Sequence, residues 1–165
     1  MNTEGMEKSS AQTTLEFATS YQASRAIYVV AKLDIPDFLK DGRRFASELA
    51  IATKTNAEAL YRVLRCVAGH GILEEQPERK FGLTSLGKTL CRDAPDSVRA
   101  YTIFVHEELY QCWGDIEAAV RTGEPRFEKV IGVPRFALSV RIIKLPLNCY
   151  VTFETPCNSM QSLGT

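Results

Sequence analysis

The chain has 165 residues, a formal net charge of zero and 45% apolar residues, which is typical of one globular domain with extensions. Its 20 basic and 20 acidic side chains argue against a nucleic-acid binder, which needs an excess of cations. The five cysteines form no C-x-x-C pair, which disfavours a zinc site and a secreted disulfide framework. The first fifteen residues lack an apolar signal core, so we predict a cytoplasmic protein with reduced thiols.

The first predicted element is a long helix from about Leu15 to Leu33, preceded by a flexible leader over residues 1–14. The apolar residues of this helix cover a broader arc than contact with one core requires. Phe17, Tyr21 and Tyr28 add an aromatic stripe beside that arc. Either another subunit or the local fold covers this surface, and the sequence leaves both readings open.

Two further helices are predicted before the first strand. One holds Ser47–Ala50, and the next is opened by Thr55–Glu58, which fits a capping box with Thr55 as the N-cap. Apolar residues of the second recur with amphipathic spacing, as Leu60, Val63, Leu64 and Val67. Gly69 and Gly71 are expected to end it.

A β-hairpin follows the helices. Gly71–Glu75 is predicted as a strand, Gln76–Arg79 as a polar turn, and Lys80–Thr84 as the returning strand, because its residues alternate between polar and apolar. Three helices followed by a small hairpin is the order of a winged helix. We therefore predict a mainly α fold, a winged-helix domain with a small β-hairpin wing plus additional helices.

A helical extension is predicted over residues 93–136. The residues of one face are Val98, Tyr101, Thr102 and Val105, and those of another are Leu109, Cys112, Trp113, Ile116 and Val120. Thr122-Gly123 is expected to end this helical stretch.

The last segment, residues 137–165, differs in character from the rest. Arg141, Lys144 and Pro146 interrupt an apolar run over Phe136–Phe153 that has no helical or strand period. A membrane helix needs about 20 apolar residues with few charges, so the run does not fit one. We predict an atypical, disordered tail.

The candidate site residues reveal no catalytic constellation. The winged-helix order admits a DNA-binding regulator as the alternative function, with Arg62 and Arg65 as phosphate contacts on the third helix. The cationic surface of that helix is small, so DNA binding is the less favoured of the two functions. His106 stands beside Glu107 and Glu108, and we predict a solvated helix face rather than a metal site.

Several ordered motifs carry a resemblance to a known family. They are Ala31–Leu39 (A-x-L-G-I-x-D-x-L), Glu48–Ala50 (E-L-A), Leu60–Arg65 (L-x-R-L-L-R), Phe81–Gly87 (F-x-L-T-x-x-G), and Trp113 with Val120–Gly123 and Phe127 (W-x-x-L, then v-r-T-G-x-x-x-F). Together they resemble the N-terminal region of S-adenosylmethionine-dependent small-molecule O-methyltransferases, of the acetylserotonin, caffeate and bacterial polyketide-tailoring type.

The resemblance implies that residues 15–92 form a winged-helix dimerisation domain. In the family this domain interlocks two subunits and covers part of the partner's substrate pocket, while the methyl donor and the catalytic histidine belong to a later Rossmann-like domain. No Gly-rich turn of such a domain follows Phe136, so we expect a truncated family member.

Four expectations follow from this resemblance. The chain dimerises with itself or with a full-length O-methyltransferase subunit. It holds no catalytic residue and no S-adenosylmethionine of its own, and transfers no methyl group alone. It needs no nucleic acid, membrane or metal. The candidate dimer or partner-pocket contacts are Phe17, Tyr21, Tyr28, Trp113 and Phe127.

Overall fold

The structure, a computed structural model, describes residues 9–132. The chain divides into two compact units, with the boundary between Gly87 and Lys88. Within the described part the fold is mainly helical with one small antiparallel sheet, so the predicted fold class is confirmed. The predicted tail at residues 137–165 and the first eight residues of the predicted leader lie outside the described residues.

The first unit begins with α1 (Ser10–Lys32), a helix of 23 residues. Its start at Ser10 corrects the predicted start at Leu15. The Ser9 hydroxyl accepts from the Gln12 N–H at 3.2 Å, and Gln12 Oε1 accepts from the Ser9 N–H at 2.9 Å. This reciprocal capping box satisfies two N–H groups of the first turn, so polar residues that lack an apolar period are nevertheless helical.

A sharp turn leads from α1 into the short helix α2 (Ile35–Phe38). Asp34 makes the turn in the left-handed conformation, with φ of 55°. Asp34 stands at the position where the A-x-L-G-I motif has glycine, the residue that adopts this conformation without steric cost. The turn lets Ile35 and Pro36 enter the core, where both are buried.

Two helices, α3 (Ala46–Thr53) and α4 (Ala57–Gly69), complete the helical layer of the first unit. The predicted N-cap of α4, Thr55, is wrong, because Asn56 fills this role and its Oδ1 accepts from the Ala59 N–H at 3.0 Å. The Thr55 hydroxyl instead lies 2.9 Å from that of Thr53. The α4 side chains that are buried against α1 and α3 are Leu60, Leu64 and Val67.

The sheet has three antiparallel strands in the order β1 (Arg44–Phe45), β3 (Lys80–Leu83), β2 (Leu73–Gln76). The predicted hairpin is β2 and β3, joined by a short 3₁₀ turn at Pro77–Arg79. Strand β1 was not predicted, because two residues are too few to show alternation. Phe81 on the central strand is completely buried.

The T-x-x-G part of the F-x-L-T-x-x-G motif fastens β3 and α5 (Ser85–Lys88) to the residues before β2. The Thr84 hydroxyl lies 2.7 Å from the carbonyl oxygen of Gly71 and 2.9 Å from that of Ile72, and it accepts from the Gly87 N–H at 3.0 Å. A Cβ added at Gly87 would lie 2.1 Å from the Ile72 carbonyl oxygen. Glycine at this position therefore permits a close backbone approach.

The second unit, over its described residues, contains the helices that follow the hairpin. They are α6 (Arg99–Phe104), a π-helical turn (Val105–Leu109), α7 (Tyr110–Gly114), α8 (Ile116–Thr122) and α9 (Phe127–Ile131). Gly123 ends α8 with φ of 70°, as predicted. A half-buried ion pair, Arg126 Nε to Asp115 Oδ2 at 2.6 Å, links the residue before α9 to the residue before α8.

We predict that Gly87→Ala lowers the free energy of unfolding by roughly 1–3 kcal/mol, since the new methyl group has no space beside the Ile72 carbonyl. Chemical denaturation at one fixed protein concentration measures this. The matched control is Gly69→Ala at the end of α4, where nothing beyond the neighbouring residues and the backbone of α4 itself lies within 4 Å of the added Cβ. Alanine favours a helix, so the control should be neutral or stabilising. Equal losses at both positions would contradict the steric explanation.

We predict that Asp34→Gly is more stable than Asp34→Ala by about 1 kcal/mol. Glycine adopts the left-handed backbone without steric cost, whereas the Cβ of alanine is strained there. Thermal unfolding of the two variants tests this. On the exposed face of α3 the order should reverse, with native Ala52 more stable than Ala52→Gly. The same order at both positions would refute the assignment of strain to Asp34.

Candidate functional site

The first half of α1, residues 10–22, contains no buried residue in the described structure. We call this stretch the arm; its 13 residues extend about 20 Å. Large apolar side chains on the arm are highly exposed, with 63% for Leu15, 76% for Phe17 and 51% for Tyr21. The first buried residue along α1 is Ala26. A helical surface that exposes large apolar groups in this way is typical of a protein contact.

Four residues form a continuous line along α1: Phe17, Tyr21, Ser24 and Tyr28. We call this line the aromatic seam. Its spacing of four, three and four residues keeps every member on one side of a helix. Phe17 and Tyr21 are exposed and Tyr28 is half-buried. The Arg25 guanidinium carbon lies 4.8 Å from the centre of the Tyr28 ring, a cation–π contact at the side of the seam.

The remaining faces of α1 differ from the seam. In its second half the helix buries Ala26, Val30 and Ala31, and it packs against α4 and α2. Leu15 lies about 150° around the helix from the seam. The structure therefore separates one helix into a half that belongs to the core and a half that carries an exposed aromatic surface.

The other two candidate contacts, Trp113 and Phe127, lie in the second unit. Trp113 is 54% exposed on α7, and Phe127 is half-buried on α9, a helix that packs against α7. Ile116 and Val120 on α8 are also exposed, so the predicted second face of the extension is divided between two helices that both carry exposed apolar side chains. The five candidates thus belong to two surfaces, three on α1 and two in the second unit.

The face of α4 that a winged-helix regulator would present to DNA is joined to the wing. The Tyr61 hydroxyl donates to Glu75 Oε1 at 2.9 Å, and Arg65 Nε lies 3.5 Å from Glu75 Oε2. Arg79, at the tip of the wing, pairs with Glu58 and stacks 4.3 Å from the centre of the Tyr61 ring. Two cations near this face thus already face carboxylates. Nothing in the described part of the chain supports the DNA-binding alternative.

Charge pairing also shifts ionisation on the wing. The hydrogen bond to Glu75 raises the pKa of Tyr61, because it stabilises the protonated phenol. The hydrogen bond from Arg43 lowers the pKa of Glu74, with Arg43 Nη2 2.8 Å from Glu74 Oε2. The first pair joins the wing to α4 and the second joins it to the residue before β1, so both have a structural role.

His106 corrects one prediction. Its side chain is 8% exposed in the π-helical turn, with its ring 5.6 Å from that of Tyr110, so it is not on a solvated face. The wider π turn takes one more residue than an α turn and alters which side chains face inward. Between residues 9 and 132 no group of three or more potential ligand residues is placed to hold a metal ion.

The family to which the first unit belongs follows from a comparison with protein-family models. The family model for the O-methyltransferase dimerisation domain matches residues 15–93. Residues 15–93 are an O-methyltransferase dimerisation domain. This match agrees with the resemblance found in the motifs.

Curated relatives of the chain are methyltransferases. Phenazine O-methyltransferase PhzM of Lysobacter antibioticus is 39% identical over 122 residues, which are 74% of this chain and 36% of that protein. The 8-amino-8-demethylriboflavin N,N-dimethyltransferase of Streptomyces davaonensis is 38% identical over 127 residues, 76% of this chain and 37% of that protein. The chain thus spans little more than a third of the length of these relatives.

Solved structures show the same fold. The crystal structure of LaPhzM superposes with a TM-score of 0.76 at 36% identity, covering 81% of this chain and 40% of that one. Human N-acetylserotonin methyltransferase, solved in complex with SAM, gives a TM-score of 0.73 at 20% identity and covers 86% of this chain and 43% of that one, which shows a shared fold alone. The coverage exceeds what residues 15–93 supply, so the similarity continues into the helices of the second unit.

The described residues do not fit a site for S-adenosylmethionine. In the family that the motifs resemble, this donor lies in a Gly-rich crevice of a Rossmann-like domain with a parallel sheet. The described sheet of this chain has three short antiparallel strands.

No helix among residues 9–132 is long and apolar enough to cross a membrane.

Proposed function

We propose that this chain is a self-association module that pairs with a second copy of itself or with a full-length O-methyltransferase subunit. The observation that carries the proposal is the arm, which displays Phe17 and Tyr21 in a domain of a dimerisation family. The match shows that this region belongs to that family, and the choice of partner is our proposal.

The energetics of the arm favour a partner. An isolated helix of about 12–15 residues is marginal in water, and most helices in proteins are stabilised by packing of an apolar face. The arm has its capping box and its continuity with the packed half of α1, and no residue of it is buried. Complete burial of one large apolar side chain contributes about 1.5–3 kcal/mol. Covering Phe17 and Tyr21 would therefore stabilise both the arm and the complex.

The second apolar surface has a different proposed role. Trp113 and Phe127 would contribute to the wall of a substrate pocket completed by another subunit or domain, as the family resemblance implies. The exposure of Trp113 on α7 supports this, since an indole ring on a helix surface offers a large planar contact. The proposal needs no nucleic acid, membrane or metal. It places the chain in the cytoplasm, where the thiols of Cys66, Cys91 and Cys112 stay reduced.

We predict that the unmodified chain is a dimer at micromolar concentration and that the double variant Phe17→Arg, Tyr21→Arg weakens dimerisation at least about tenfold. Two charges would replace aromatic side chains at the contact. Sedimentation velocity over a concentration series gives the dissociation constant, and circular dichroism reports the helical content.

The control for this prediction is Ile51→Arg on α3, which changes an 80% exposed apolar residue away from α1. It should leave the dissociation constant unchanged. A folded monomer for the unmodified chain would refute self-association. Equal weakening by the control would show that any exposed apolar residue matters.

Co-expression with full-length phenazine O-methyltransferase PhzM of Lysobacter antibioticus tests the second partner. Native mass spectrometry should show a mixed dimer of the chain and the full-length subunit. Homodimers alone would limit the proposal to self-association. The double variant Phe17→Arg, Tyr21→Arg serves as the control, because it should lose the homodimer and the mixed dimer together.

We also predict that the 165-residue chain alone binds no S-adenosylmethionine and transfers no methyl group to phenolic or indolic alcohols. Methyl transfer needs a bound donor and a base held in line with the acceptor hydroxyl. Calorimetric titration and a radiolabel assay measure the two activities, with the full-length Lysobacter enzyme as the positive control. Donor binding at micromolar affinity would overturn this prediction.

A further inference from the structure

Three consecutive helices of the second unit have no buried side chain. Within residues 9–132, no residue of α7, α8 or α9 is buried, although Trp113, Ile116 and Val120 are large apolar groups exposed by 54%, 38% and 79%. An isolated helix shorter than about 12–15 residues is marginal in water, and these helices have only five to seven residues. They therefore need an apolar cover that the described residues do not supply.

The chain that follows α9 is rich in apolar residues. We call residues 136–153 the apolar segment. Burial of apolar groups is not directional, so this segment needs no helical or strand period to cover an apolar surface. Complete burial of one large apolar side chain contributes about 1.5–3 kcal/mol. The apolar residues of the segment are Phe136, Ala137, Leu138, Val140, Ile142, Ile143, Leu145, Leu147, Cys149, Tyr150, Val151 and Phe153.

We propose that the apolar segment docks on α7 and α8 of its own chain and covers Trp113, Ile116 and Val120. The inference goes beyond the pocket wall proposed above, because here the cover is a segment of the same chain. It does not depend on dimerisation. Another subunit or domain that contacts Trp113 would first have to displace the segment.

The end of α9 lies within reach of this surface. Helix α9 packs against α7, which in turn contacts α8. Gly132 ends α9 with φ of 76°, and Pro134 follows it, so the chain does not continue along the axis of α9. Four extended residues span up to about 14 Å, whereas the axes of packed helices are about 8–10 Å apart. Phe136, four residues after Gly132, can therefore reach α7, and later residues can reach α8.

The charges of the segment and of these helices are complementary. Residues 133–153 contain three basic side chains and no acidic one, whereas residues 110–132 contain four acidic and three basic side chains. Three of those carboxylates face cations of the same stretch. The fourth, Glu128, is exposed on α9 and has no ion pair among the described residues. A cationic segment thus meets an uncompensated carboxylate on the helix next to α7.

Trp113 is the only tryptophan of the chain, so its fluorescence reports directly on the docking surface. The 165-residue chain is compared with the triple variant Ile142→Ser, Ile143→Ser, Leu145→Ser, which removes apolar area from the segment. We expect the Stern–Volmer constant for acrylamide quenching to rise at least about twofold in the variant, because loss of apolar burial uncovers the indole. The matched control, Met160→Ser with Leu163→Ser, lies after the segment and should leave quenching unchanged.

The same measurements in the background of Phe17→Arg, Tyr21→Arg separate this inference from dimerisation. Protection of Trp113 that persists in that background supports docking within one chain. Protection that disappears would assign the cover to the partner copy and overturn the inference. Equal quenching of the unmodified chain and the triple variant would also overturn it. A monomeric unmodified chain would refute self-association and leave these outcomes unchanged.

A variant on the helix side tests the contact without weakening the helix. Val120→Ala removes apolar area from α8 and raises its helix propensity. Trypsin cleaves after Arg141 and Lys144 inside the apolar segment, so docking should protect these sites. We expect cleavage there to be at least about threefold faster in Val120→Ala than in the unmodified chain. Ile51→Ala, at a similarly exposed position of the first unit, should leave the rate unchanged. Equal rates in all three proteins would overturn docking on α8.

Discussion

The packing of the second half of α1 against α4 determines most of what this domain presents to its surroundings. Val30 and Ala31 are completely buried there, and α4 contributes Leu64 and Val67, which are also inaccessible to solvent. Because only this half of the helix packs against the core, the first half of α1 extends away from it with its side chains exposed. The same contact that builds the core therefore exposes the aromatic surface.

The family motifs can be understood through the backbone they stabilise. Thr84 and Gly87 hold the end of the hairpin against the residues before β2, by a hydroxyl bridge and a close approach that excludes a side chain. Tyr61, from the L-x-R-L-L-R motif, joins α4 to the wing through Glu75. These motif residues serve architecture and not chemistry. In a winged helix, the same elements could serve DNA, but here Tyr61 and Arg65 on the outer face of α4 contact Glu75 of the wing.

Long periodic segments could be predicted from the sequence, because burial imposes a repeating pattern on them. The apolar positions Leu60, Leu64 and Val67 identified α4, and the hairpin followed from alternation and a polar turn. Elements set by single hydrogen bonds were missed or misplaced. The Ser9 cap extended α1, Asn56 took the place expected for Thr55, and β1 was too short to give a pattern.

The candidate contacts were predictable as residue types but not as surfaces. The aromatic stripe was visible as Phe17, Tyr21 and Tyr28, while the sequence left open whether the local fold covers it. The exposure of the arm decides that no described residue buries the first two. His106 could not be placed from an α-helical period, because a π turn breaks that period at its position.

The π-helical turn at Val105–Leu109 has a consequence for how this fold tolerates insertions and deletions. It takes one residue more than an α turn within the same full rotation about the helix axis. Deleting a single residue there would restore the α geometry and leave Trp113 on nearly the same side of the helix. The same deletion in a regular α turn would rotate the residues that follow by about 100°. The π turn is thus the place in this helical stretch where the chain can change in length by one residue without redirecting the exposed indole.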